Sequence, residues 1–176
     1  MVAALPPITP ADLSRLTGLA VAGKFVSLRF FVPGEPVAKG RPRTKVVTPK
    51  EEDAKPYAQI YTDEDTKTWE ETIAWIVRGQ VMKFPQTDDD VQIVLPFEKR
   101  ILVALRFNLE KGPSVDNDYP ITSRKDVDNL AKAVLDALQK ARIIKNDNRV
   151  TDLSTSKRYA SAEHPVGVEI EVLALW

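Results

Sequence analysis

The stretch from Lys125 to Val150, KDVDNLAKAVLDALQKARIIKNDNRV, constrains this chain more than any other. Leu130, Val134, Leu138 and Ala141 recur at helical spacing, and Ala133 and Ala137 widen the stripe. The spacing predicts an amphipathic helix over 129–142, about 14 residues and roughly 21 Å long. An apolar stripe of that kind has to be covered by another layer of structure. Charge brackets the helix on both sides. Asp126 and Asp128 precede it, Lys132 stands one turn in, and the polar turn Asn146-Asp147-Asn148 follows it.

The residues alone allow two readings of that charge. In the first, Asp128 is an N-cap, Asp126 a pre-helical turn residue, and 146–148 an ordinary turn. In the second, the acids form a metal site. Residues two apart in an extended chain point to the same side, so Asp126 and Asp128 would offer two carboxylates to one place. Mg²⁺ takes oxygen ligands in a near-octahedral set, commonly one or two carboxylates with water and phosphate oxygens. Asp147 would join them only if the chain turns back beside its own earlier course, as it does in mixed and antiparallel sheets.

The rest of the chain supplies the sheet. Residues 25–32 (FVSLRFFV), 100–109 (RILVALRFNL), 149–159 and 166–176 read as strands, the last alternating Val166, Val168, Ile170 and Val172 with Glu169 and Glu171. A short extended piece is expected at 57–61, and a helix of about five turns from Thr62-Asp63-Glu64-Asp65 to near Met82, with Trp69, Ile73, Ile76, Val77 and Gln80 on one face. Trp69 and Trp75 are read as core or interface residues. Thr9-Pro10-Ala11-Asp12 resembles another helix start. The expected fold is α+β, one domain over 1–176. It has a mixed or antiparallel sheet of about four to five strands, with two main helices packed on it.

Composition removes several chemistries. With no cysteine there is no disulfide, thiol catalysis or cysteine zinc site, and the single histidine, His164, excludes a multi-histidine metal site. It sits in a polar turn, where a surface position is expected. No apolar run approaches membrane-spanning length, and the N-terminus lacks a basic leader, so a cytoplasmic protein is expected. The formal net charge is zero, so any contact with nucleic acid must come from a local patch. From Pro36 to Lys50 the basic residues carry no acidic companion, and Lys39, Arg41, Arg43 and Lys45 alternate. An extended arm would align them along one side, as a phosphate backbone requires. A solvated basic loop is the other reading. Two further acidic sets, Asp88-Asp89-Asp90 and the pair Asp116 and Asp118, lie in loops and lack an adjoining helix and lysine.

The central stretch resembles the RusA family of Holliday-junction resolvases, small phage- and prophage-associated endodeoxyribonucleases. The residues that carry the resemblance are Asp126-Val127-Asp128-Asn129-Leu130, Lys132, Asp136-Ala137-Leu138, Asp147, Val150 and Lys157. The family often has two aspartates at the turn, and here the first is Asn146. The resemblance implies that Asp126, Asp128 and Asp147 are metal-binding catalytic carboxylates and that Lys132 is a catalytic lysine. It implies Mg²⁺ as cofactor, with Mn²⁺ as an alternative ion, and four-way DNA as substrate. Two symmetric cuts imply a homodimer. The family's basic segment after its early strand implies that Lys39, Arg41, Arg43 and Lys45 contact DNA, and Lys125 and Lys157 are expected as further DNA contacts beside the acids. Two rival functions remain at this stage: a non-catalytic branched-DNA-binding protein, and a less specific flap or structure nuclease.

Overall fold

The computed structural model describes residues 25–40, 43–47, 55–61, 63–82, 94–113 and 125–175. The expected helix near residue 9, the triple aspartate at 88–90 and the pair at 116 and 118 lie outside the described residues. So does Arg41.

Four strands form the main sheet: β1 (Phe25–Pro33), β4 (Ile101–Leu109), β5 (Val150–Tyr159) and β6 (Gly167–Leu175), in the order β1-β6-β4-β5. β6 is antiparallel to both β1 and β4, whereas β5 runs parallel to β4. Two further strands, β2 (Arg43–Val47) and β3 (Tyr57–Tyr61), pair only with each other, antiparallel. The helices are α1 (Glu64–Val81) and α2 (Val127–Lys140), followed by a 3₁₀ turn at Asp147–Arg149. The arrangement is the α+β fold expected, with a mixed sheet.

Strand alternation decides what is buried. The register places Phe30, Ile170 and Leu105 in one row, and Val32, Val168 and Phe107 in the next. All six are buried against the helices. α1 contributes Trp69, Ile73 and Val77 to the same core, and α2 contributes Leu130, Val134, Ala137 and Leu138. Each of the larger aliphatic and phenylalanine side chains contributes about 1.5–3 kcal/mol by leaving water. Trp69 is in the core as expected, but Trp75 is 78% exposed on the outer side of α1, so it is no core residue. The helical period turns it away from the 69-73-77 stripe.

The opposite face of the sheet is charged. Glu169 accepts from Arg158 Nη2 at 2.6 Å and from Asn108 Nδ2 at 3.3 Å, and Asn108 is fully buried. His164, half-exposed as expected of a surface turn, approaches Glu169 at 3.6 Å. β6 starts at Gly167 because nothing else fits there. Its φ is +153°, and a Cβ would lie 2.4 Å from the Val32 carbonyl oxygen. Among the described residues no helix is long and apolar enough to cross a membrane.

Candidate active site

α2 is the crossover between the parallel strands β4 and β5, and its position on the core fixes the acidic residues around it. It begins at Val127, two residues earlier than the spacing predicted. Asp126 is the N-cap, with extended backbone and no side-chain cap bond, and Asp128 falls inside the first turn. The two are therefore not a side-by-side extended pair, because residues two apart in a helix do not face each other. What α2 does align is Asp128, Lys132 and Asp136, at i, i+4 and i+8 on one face. Asp126 and Asp128 are exposed, and neither side chain has a partner among the described residues.

Asp147 is brought to that face. Its Oδ2 accepts from Lys132 Nζ at 2.5 Å, and the same ammonium lies 2.9 Å from Asp136 Oδ1. The chain reverses after α2 and enters the 3₁₀ turn, where Asn146 Oδ1 accepts from the Asn148 N–H at 3.0 Å. Asn146 thus acts as the cap that presents Asp147, a task suited to Asn as well as Asp.

The ion pairs continue inward. The other oxygen of Asp136, Oδ2, holds Lys39 Nζ. Lys39 also donates to Glu70 Oε1 at 3.3 Å, and Glu70 Oε2 accepts from Lys140 at 2.6 Å. The result is an alternating row: Asp147, Lys132, Asp136, Lys39, Glu70, Lys140. It runs from the solvent edge to Glu70, whose side chain is 4% exposed. Sequence reasoning missed Asp136 and Glu70. Each carried a signal: Asp136 stands one turn beyond Lys132, and Glu70 is a carboxylate on the buried stripe of α1.

Lys39 is a correction in placement. It was expected on a DNA-facing arm, but its backbone N–H bonds the Asn129 carbonyl at 3.0 Å and its ammonium turns inward. β2 begins at Arg43, after two residues that lie outside the described set. Arg43 and Lys45 both belong to β2. Lys125 is anchored by Glu35 and by the Pro36 carbonyl at 2.9 Å, and Lys157 Nζ donates to the Lys125 carbonyl at 2.9 Å. Lys157 and Arg158 do face opposite sides of the sheet. Lys157 lies beside Phe107 on the helix side, and Arg158 bonds Asn108 and Glu169 on the other. The pair Lys125 and Lys157 grips the peptide that leads into Asp126.

Burial alone would raise the Asp136 carboxyl, but the bonds from Lys39 and Lys132 outweigh it and hold the group below its ordinary 3.8. Burial pulls Lys39 down, yet its bond to Asp136 and the charge of Glu70 leave it above 10.5. The Asp147 bond raises Lys132, with Asp136 adding to it against a smaller burial effect. The signs follow from linkage. Asp136, depressed on folding, stabilises the protein above its unfolded value, and that stability is lost as pH falls through the folded value. Lys39, raised on folding, stabilises below its unfolded value and loses this above it. The Asp136→Asn protein should therefore lose less stability than wild type between about pH 5 and pH 2. Urea midpoints across that range check it; parallel curves would mean that Asp136 does not carry the acid sensitivity.

Three carboxylates and no softer ligand suit a hard cation in kind. Asp147 already holds a cation, the Lys132 ammonium. Among the described residues, though, no three Asp, Glu, His or Cys side chains converge closely enough to hold a metal as they stand. The site as folded is a lysine seated between two acids, with two acids at the helix start that have no partner among the described residues.

The wider comparisons bear on the same residues. A family model described as Endodeoxyribonuclease RusA matches residues 33–172. That span runs from the end of β1 into β6 and includes every residue of the ion-pair row. The chain is 31% identical over 133 residues to the uncharacterized protein YqaN of Bacillus subtilis (strain 168), covering 76% of this chain and 88% of that one. It is 29% identical over 100 residues to the crossover junction endodeoxyribonuclease RusA of Aquifex aeolicus (strain VF5), covering 52% of this chain and 73% of that protein. With a family match that takes in β4 and β5 of the main sheet, both helices and the acidic site, the chain belongs to the RusA endodeoxyribonuclease family.

Proposed function

We propose that this protein is a divalent-cation-dependent endodeoxyribonuclease that resolves four-way DNA junctions by paired symmetric cuts. The observation that carries the reading is the meeting of Asp147 with Lys132 on the face of α2 that also bears Asp128. Residues distant in sequence are gathered at one exposed place, in a chain of this family. Its relative in Aquifex aeolicus bears the name of a crossover junction endodeoxyribonuclease.

In this reading Asp126, Asp128 and Asp147 would hold Mg²⁺, with Mn²⁺ as an alternative. The ion, when bound, activates a water and stabilises charge on the scissile phosphate. Lys132 orients that water or neutralises the crowded phosphate as it forms. Asp126 is oriented by the grip of Lys125 and Lys157 on the peptide before it. DNA lies along the β2–β3 hairpin, where Arg43 and Lys45, with Arg41 just before them, supply phosphate contacts. Two cuts related by symmetry need two such sites, which an isologous homodimer provides.

The test uses a synthetic four-way junction, a flap and a linear duplex, each with Mg²⁺ and with EDTA. Cutting of the junction alone, abolished by EDTA, is the expected result. Binding without cutting would make the protein a non-catalytic junction binder. Equal cutting of all three substrates would make it a less specific nuclease.

A further inference from the structure

We propose that the outer edge of β5 is a docking surface for a second copy of this chain: the two β5 strands pair antiparallel about a twofold axis at Thr155, and one sheet runs through both subunits. The proposal rests on the homodimer reading given above and deepens it by naming the surface and its register.

β5 is an end strand of the main sheet, and among the described residues it pairs on one side only, with β4. An edge strand presents a row of free N–H and C=O groups, and proteins blunt such edges with short strands, prolines, bulges or charges. β5 has little of this protection. It is 10 residues long and contains no proline. Its one irregularity falls at the start, and from Asp152 to Tyr159 the ladder with β4 is unbroken. Its two cations do not guard the edge: Lys157 donates to the Lys125 carbonyl, and Arg158 to Asn108 and Glu169. Leu153 is 47% exposed, and Ser154 and Ser156 are exposed beside it. The other end strand, β1, is treated differently. It closes on Pro33, and Gln80 of α1 donates to its Phe31 carbonyl at 3.2 Å.

A second copy is the occupant because β5 is complementary to itself. Directly opposed residues of an antiparallel pair share a face of the sheet, and opposite charges or hydroxyl pairs there are favourable. With Thr155 opposite its own mate, Asp152 stands opposite Arg158 of the second copy. Both residues lie on the face away from the helices, and their side chains are 31% and 35% exposed. The same register sets Ser154 opposite Ser156, and Leu153 opposite the aliphatic stem of Lys157. Moving the axis to Ser154 would leave Asp152 opposite Ser156 and break both charge pairs. α1 and α2 pack into one core on one face of the sheet. A twofold axis normal to the sheet therefore puts the Lys132–Asp147 corner of each copy on the same side. Two cuts in one junction need that placement.

The test is disulfide trapping in the full-length protein. The chain has no cysteine, so one introduced thiol reports its own position without background. Opposed Cα atoms in an antiparallel pair are about 4.5–5.5 Å apart, inside the range of about 4.4–6.8 Å that a disulfide spans. Thr155→Cys should therefore run mostly as a dimer on a non-reducing gel after mild oxidation, and return to monomer with reductant. Leu153→Cys, four residues out of register with its mate and about 13 Å from it, should run as monomer. Asp152→Arg sets like charges opposite each other and should weaken the dimer at least about tenfold in analytical ultracentrifugation. An unchanged dissociation constant for Asp152→Arg would overturn the proposal, and this measurement decides if Thr155→Cys fails to fold. A wild-type dimer that Trp75→Cys, on the outer side of α1, traps and Thr155→Cys does not would overturn this interface alone. A wild-type protein that is monomeric at every concentration and on a four-way junction would overturn the homodimer reading and this proposal with it.

Discussion

The Asp128→Asn protein is expected to bind a four-way junction as wild type does and to cut it at least about 10³-fold more slowly. The substitution keeps the shape of the side chain and removes only its charge. Asp128 is exposed in the first turn of α2 and has no side-chain partner among the described residues, so the fold does not lean on it. Its one structural contribution is an anionic charge near the positive end of the helix dipole, worth about 0.3–1 kcal/mol. A stability loss of that size leaves the protein folded. A helix-start acid with no chemical role would therefore show a slightly lower melting temperature and unchanged cutting. A cation ligand would show unchanged binding in EDTA and lost cutting in Mg²⁺. Single-turnover cleavage beside gel-shift titration separates the two, and a wild-type cleavage rate removes Asp128 from the site.

Glu70→Gln should have the largest effect on stability, about 3 kcal/mol, because it strips the charge from a buried carboxylate that holds two lysines. For a chain of this size that corresponds to a fall in melting temperature of roughly 6–12 °C. The direction follows from what is left behind. Desolvation of Lys39 is already largely incurred by burial, and the loss of one of its two carboxylates leaves Asp136 alone to offset it. Lys140, at 45% exposed, can turn to water and contributes less. The loss should also reach the solvent edge, since Lys39 would then lean wholly on Asp136. Thermal melts of wild type and Glu70→Gln measure the first effect. Superimposable melts would mean that the ion-pair row does not tie α1 to α2.

Much of the fold was legible because its signals are local. The period-two runs at Phe25–Pro33 and Gly167–Leu175 and the 3.6 period from Leu130 to Leu138 each announce a buried face without reference to any partner. The four-residue spacing of Asp128, Lys132 and Asp136 is local too, since it needs only the helix, yet Asp136 was not read from it as part of the site. The start of α2 was harder. Asp126 and Asp128 are equally good caps by residue type, and only the backbone at Asp126 decides between them. Trp75 was read as core or interface because a tryptophan reports bulk and not direction, and the helix, by turning it to water, removes the core alternative.

By itself, the chain's order of residues determined an α+β protein, the helix at its centre, and the acids and lysine that this helix displays. Only the tertiary structure decided which charges meet. Lys39 and Asp136 lie 97 positions apart, and Lys39 and Glu70 lie 31 apart. No periodicity links them, because an ion pair between elements depends on how the helices sit on the sheet and not on either helix alone. Packing of α1 and α2 on one apolar face turned a lysine of the basic arm inward and made a buried glutamate its counter-ion. The reversal after α2 brought Asp147 to Lys132.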